Sequence, residues 1–132
     1  LAMSAPPLSS LRRIRLELAR DHDHPVGSRQ HGYDFIAPID DKGHILAEDW
    51  KKSRERCRVK RFWGSEDAMV GHLVRKPGGS WAFHYDIHGP EEHDESGYRF
   101  DQHAFIPGEY VSIKEHDGVL RTFKVMSVLE LD

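Results

Sequence analysis

The residues best placed to do chemistry are His84, Asp86 and His88, at alternate positions of the run His84-Tyr85-Asp86-Ile87-His88. In a strand alternate residues share a face, so the three project together. Two imidazoles and a carboxylate suit zinc, iron or manganese, and three ligands with an open position is how catalytic metal centres are built. Glu91, His93 or Asp94 in the following loop offers a fourth ligand. The opposite face carries Trp81, Phe83, Tyr85 and Ile87, a core stripe, and the face behind such a stripe is ordinarily solvated. Residues two apart also lie roughly 6–7 Å from one another, so one ion gathers all three only on a strongly bent strand. His72, on the partner strand, is expected on the aromatic face. Asp21-His22-Asp23-His24 is a second metal candidate, on a loop marked by Pro25 and Gly27.

A different chemistry is written into residues 50–63. Lys51, Lys52, Arg54, Arg56, Arg58, Lys60 and Arg61 place seven cations in eleven residues beside one acid, Glu55. Trp50, Phe62 and Trp63 flank them. Cations interleaved with aromatics grip phosphates and stack bases. Arg58 and Lys60 share one strand face, while Arg61 points the other way. From Asp86 to Asp101 there are six acids against Arg99 alone, a local charge of −5. That stretch is a candidate internal partner for the basic segment, within one chain or across two copies.

Cys57 lies among Arg56, Arg58 and Lys60. Neighbouring cations favour a thiolate, whereas a helix C-terminus opposes one. Its place between a helix and a strand fits a small buried side chain.

These groups must be held by secondary structure. Residues 14–18 alternate apolar and polar, the period of a half-buried strand. Residues 20–32 read as a polar loop and 33–39 as a second strand, with Pro38 at an edge or bend. Residues 40–43 form a turn. Residues 47–57 read as the one helix, with Glu48 and Asp49 at its start and Arg54, Arg56 and Arg58 toward its end, as the macrodipole favours. Its apolar face is thin, so it is expected on the surface, anchored by Trp50. Strands are expected over 59–63, over 69–76 and 80–87 around Pro77-Gly78-Gly79, and briefly over 98–100. Residues 91–95 read as an acidic loop. The clearest hairpin joins 110–115 to 119–129. A three-residue loop of His116, Asp117 and Gly118 sets Val111 opposite Phe123 and puts Val111, Ile113, Phe123 and Val125 on one face. It also places Gly118 where a left-handed residue is required.

Seven or eight short strands, one helix and no βαβ alternation predict a mainly β (α+β) fold: an antiparallel small barrel or compact sandwich, with a surface helix near residues 47–57. The 132 residues fit one domain, expected over 11–132 behind a mobile tail of residues 1–10. Met3 is the expected start, with Leu1-Ala2 a remnant. Apolar residues at 38% and charged residues at 31% exclude a membrane span, a collagen repeat, a coiled coil and full disorder. A net charge of −3 excludes a uniformly basic nucleic-acid binder. One cysteine excludes a disulfide scaffold and any zinc site needing two thiolates. The N-terminal residues lack the basic start and apolar core of a secretory signal, so a cytoplasmic protein is expected. No P-loop, dinucleotide fingerprint, nucleophile elbow or His-Glu-x-x-His motif occurs, which weighs against the familiar enzyme classes.

The runs YDFIAPID, RERCRVKRFWG, PGGSWAFHYD and PGEYVSIKEHDG…TFKV resemble a group of bacterial proteins of unknown function. The resemblance covers residues 14–128 and implies a bacterial cytosolic origin. It carries no activity and no residue role.

The expectation drawn from these features is a non-catalytic binding module. Its surface is Trp50, Arg54, Arg58, Lys60 and Trp63, and its partner is an anion: nucleic acid, an acidic protein surface or a second copy of the chain. No cofactor is required on this reading. The alternative is a metal-dependent enzyme holding a divalent ion at His84, Asp86 and His88.

Overall fold

Alternation of buried and exposed residues, read along the chain, becomes eight strands that close on themselves. The computed structural model describes residues 9–86 and 94–131. The strands are β1 (Leu11–Leu18), β2 (Ser28–Pro38), β3 (Arg58–Trp63), β4 (Glu66–Arg75), β5 (Trp81–Tyr85), β6 (Glu95–Tyr98), β7 (Tyr110–Lys114) and β8 (Leu120–Glu130). Each pairs antiparallel with its neighbours in sequence, and β8 returns to pair with β1. The result is a closed up-and-down barrel rather than a sandwich. Closure leaves no edge strand to attract another chain.

The alternating residues fill the interior. Ile14, Leu16, Leu18, Tyr33, Phe35, Val59, Leu73, Trp81, Phe83, Val111, Ile113, Phe123 and Val125 are all buried. Eight strands make a lumen just wide enough for side chains to fill. Rings meet edge to face across it: Tyr33 with Phe123 at 5.1 Å and Phe35 with Phe83 at 5.1 Å between centroids.

The last hairpin has the expected loop. Val111 faces Phe123, the Glu115 amide donates to the Val119 carbonyl, and Gly118 has φ 81°. Burial of Val111, Ile113, Phe123 and Val125 selects that register.

Other boundaries differ from expectation. The helix, α1 (Ala47–Lys52), is six residues long and gives way at Ser53 to a 3-10 turn over Arg54–Arg56. After Trp50 nothing apolar lines the helix until Cys57, which must turn inward to enter β3, so packing supports no further turn. β2 begins at Ser28, inside the expected loop: Ser28 pairs with Leu18 of β1 across a register shift, and His31 pairs with Trp63 of β3. β4 begins at Glu66, which pairs with Trp63. β6 covers Glu95–Tyr98, so Glu95 belongs to a strand and not to the acidic loop. Phe100, expected in a strand, folds back under it: its ring occupies the space that a side chain on Gly97 would need. Ser9 and Ser10 are not part of a free tail. The Ser10 hydroxyl donates to Asp49 Oδ2 at 2.7 Å, and its carbonyl accepts from the Ile39 amide at 3.0 Å. Residues 1–8 of the expected tail lie outside the described residues.

The two ends of the barrel differ. One is closed by α1 and by residues 99–109. Trp50 donates its indole N–H to the Leu73 carbonyl at 2.9 Å and meets Trp81 edge-on at 5.3 Å. Phe100 and Phe105 pack against Phe35 below them. The other end, the mouth, carries the β1–β2, β3–β4 and β7–β8 connections. No helix among the described residues is long and apolar enough to cross a membrane.

β4 and β5 approach so closely at Gly71 that an added Cβ would lie 1.9 Å from the His84 carbonyl oxygen. The obstacle is backbone and cannot swing aside. Gly71→Ala is therefore expected to lose about 1–3 kcal/mol of stability in urea unfolding. A midpoint equal to the parent's would contradict this packing.

Candidate functional site

The histidine–carboxylate run is split by its neighbours. His84 projects outward from β5, and its Nδ1 lies 2.6 Å from Asp94 Oδ1. Asp86 follows β5 and turns to other partners, His72 Nδ1 at 3.4 Å and Arg58 Nη2 at 3.9 Å. His88 lies outside the described residues. His72 stands directly opposite His84, on the outer face and not on the aromatic one. The three-residue turn Pro77-Gly78-Gly79, with both glycines at positive φ, sets that register. Two imidazole–carboxylate pairs thus replace one convergent set. Among the described residues no three His, Cys, Asp or Glu side chains gather closely enough to hold an ion. In the loop candidate, Asp21 Oδ1 accepts from the amides of Asp23 and His24 and meets His24 Nδ1 at 3.1 Å. These contacts build a turn.

The basic segment is distributed over the length of the barrel. Trp50 is only 6% exposed and anchors α1 to β4 and β5, so its ring presents no open stacking face. Arg54 instead stacks on Trp50, 4.8 Å from the ring centroid, and Arg75 stacks on Trp81 at 5.4 Å. The two tryptophans therefore form a buried base that carries a guanidinium at each side. Arg54, Arg75, His72 and Glu55 line a cleft of about 320 Å³ between α1 and β4. Arg58 and Lys60 are exposed on the outer face of β3. Trp63 closes that strand, about 17 Å from Arg58 at strand rise. It is half-buried at the mouth beside His31 at 4.6 Å and beneath Arg61 at 4.2 Å. Of the expected pairing between basic segment and acidic stretch, the described residues show two contacts, Arg58 with Asp86 on the outer face and Arg61 with Glu95 inside the barrel.

Arg61 leads to the feature that sequence reading missed. Its side chain enters the barrel and is 5% exposed, between Glu95 and Glu115, at 0% and 2%. Arg61 Nε donates to Glu115 Oε2 at 3.2 Å and lies 3.6 Å from Glu95 Oε2. The Tyr33 hydroxyl bridges the two acids, 2.8 Å from Glu95 Oε1 and in hydrogen-bond contact with Glu115 Oε2. Tyr85 donates to Glu95 Oε1 at 2.7 Å. The His116 amide and Nδ1 reach Glu95 Oε2 at 3.0 and 2.7 Å, which makes Nδ1 the protonated nitrogen. Arg121 donates to Glu115 Oε1 at 2.7 Å and reaches Asp117 at the rim.

All four carboxylate oxygens thus have donors, and the two glutamates face two arginines. Burial opposes the charge on Arg61, but Tyr33 and the two glutamates outweigh it and raise its pKa. Arg121 is likewise raised, burial again opposing and its bonds to Asp117 and Glu115 prevailing. Every carboxylate oxygen accepts at least one hydrogen bond, and the network fills the polar half of the lumen. The signal for it was present in the alternation: Val111 and Ile113 lead to Glu115, and Val59 leads to Arg61. Glu95 was hidden by its acidic neighbours.

Cys57 is fully buried, and burial pushes its thiol up to about 11 despite Arg56. It is a packing residue at the entry to β3, as its position in sequence suggests.

Burial, then the charge of Glu95, raises the pKa of Tyr33 and Tyr85 well above the ordinary phenol value. The unfolded chain loses these protons near pH ~10 while the folded chain keeps them. Stability is therefore unaffected by them below about pH 10 and falls as pH rises beyond it. Urea midpoints taken across that range are expected to decline, and Tyr85→Phe to decline less steeply. Identical profiles for parent and variant would contradict the assignment.

Compared with known proteins, the chain matches no protein-family model, no curated protein and no solved structure.

Proposed function

We propose that this chain is a non-catalytic, cytoplasmic binding module for an anionic partner, with nucleic acid as the first candidate. The binding surface is the outer side of α1, the 3-10 turn, β3 and β4: Arg54 and Arg75 line the His72 cleft, and Arg58 and Lys60 stand on the outer face of β3. The observation that carries this reading is the stacking of Arg54 and Arg75 on the buried Trp50–Trp81 pair. Among the described residues neither arginine forms an ion pair, so both guanidinium edges remain available to phosphate. Their ring contacts orient them in advance, which lowers the entropy lost on binding. Trp63 is too distant to share a small ligand with them, though a polymer following β3 reaches both ends.

Four cations engaging a single strand imply a slope of about −3 in log affinity against log salt, at roughly 0.7 per phosphate. Fluorescence anisotropy with a labelled single-stranded oligonucleotide across a salt series measures it. The expected result is that slope, with Arg54→Glu combined with Arg75→Glu weakening binding by about tenfold or more. Absence of binding at low salt would remove nucleic acid as the partner.

A further inference from the structure

A second surface, away from the Arg54–Arg75 cleft, has a different composition. The long hairpin joining β1 to β2 projects beyond the barrel and overhangs the outer faces of β7 and β8. Beneath it runs an open groove of about 1220 Å³. Its apolar wall is exposed: Val26 at 92%, Tyr110 at 53% and Met126 at 43%. Besides Arg15, its cations are Arg20, Arg29 and Lys124, all exposed and none in an ion pair among the described residues. The one acid in the groove, Glu17, is held by Arg15 at 2.8 Å. The groove is therefore positive in charge and apolar in surface.

The overhang is fixed in place. Gly27 has φ 76°, and a Cβ there would lie 2.7 Å from the Leu18 carbonyl oxygen, so the turn presses directly on β1. Asp21 closes the near side through the amides of Asp23 and His24. The Ala19 amide donates to the Thr122 carbonyl at 3.0 Å and ties the base of the hairpin to β8. A preformed wall of this kind spares a ligand the cost of ordering it.

Size and chemistry select the occupant. The groove exceeds the usual range of small-molecule pockets and is open along one side, which suits a length of polymer. It offers one aromatic ring, Tyr110, and so lacks the repeated stacking platform that bases require. Methionine and valine beside it suit aliphatic side chains, and methionine adapts to varied partners. We propose that this groove docks an acidic polypeptide segment, with an aliphatic side chain of the partner set against Val26 and Met126 and its carboxylates against Arg20, Arg29 and Lys124.

The test uses labelled synthetic peptides on the full chain: one of alternating glutamate and leucine, one with serine for leucine, and one with lysine for glutamate. A labelled oligothymidylate is run beside them. The glutamate–leucine peptide is expected to bind, and the other two peptides to bind at least about tenfold more weakly. Val26→Asp and Arg29→Glu, both at exposed positions and checked by unchanged melting temperature, are each expected to weaken that binding by about tenfold. Equal binding of the serine peptide, indifference to Val26→Asp, or no peptide binding at low salt would overturn the proposal. Oligothymidylate binding that Arg29→Glu abolishes would overturn it in favour of a nucleic-acid surface.

Discussion

Closure is the constraint on which this structure depends. Once β8 pairs with β1, half the side chains of every strand enter a lumen that they fill together with Phe100 and Phe105. Toward the closed end they do so with aromatic and aliphatic groups. Toward the mouth they do so with Tyr33, Arg61, Tyr85, Glu95 and Glu115, five polar side chains whose bonds complete one another. A buried ion network of this kind is costly to desolvate and is tolerated only when its members are satisfied. Here each carboxylate oxygen has a donor, and Arg121 and His116 bond the network from the rim.

The same closure dictates the outer surface. Because Val59 and Arg61 point inward, Arg58 and Lys60 must point outward. Because Trp50 seals the end of the barrel against Trp81, Arg54 and Arg75 are carried on buried rings. The cationic face is thus a consequence of how the core is built. Its positive charge stands against an overall balance of −3.

Much of the fold was legible because alternation and burial agree. The 110–129 hairpin could be registered from Val111, Ile113, Phe123 and Val125 alone, and Trp81, Phe83 and Tyr85 were readable as core. Strand ends that leave the barrel were not, since the polar residues at Ser28–His31 and Glu66–Ala68 look like loop when no core patterns them. The interior network was hidden for a related reason. Glutamate and arginine on an inward position break the apolar rhythm, and only closure brings together Arg61 of β3, Glu95 of β6 and Glu115 just past β7. In the histidine run, His84 and Asp86 share a side as expected, and each has a partner of its own, Asp94 and His72, while His88 lies outside the described residues.

The claim that most of this rests on is that the Arg61–Glu115–Glu95 network holds the mouth of the barrel together. The most direct measurement is a thermodynamic cycle from urea unfolding of the parent, Arg61→Leu, Glu115→Gln and the double variant. Arg61→Leu is expected to cost about 3–5 kcal/mol, because it removes the buried cation that faces both carboxylates. The double variant should cost less than the sum of the singles, by about 0.5–3 kcal/mol. A near-neutral Arg61→Leu, or strictly additive losses, would contradict a coupled interior network.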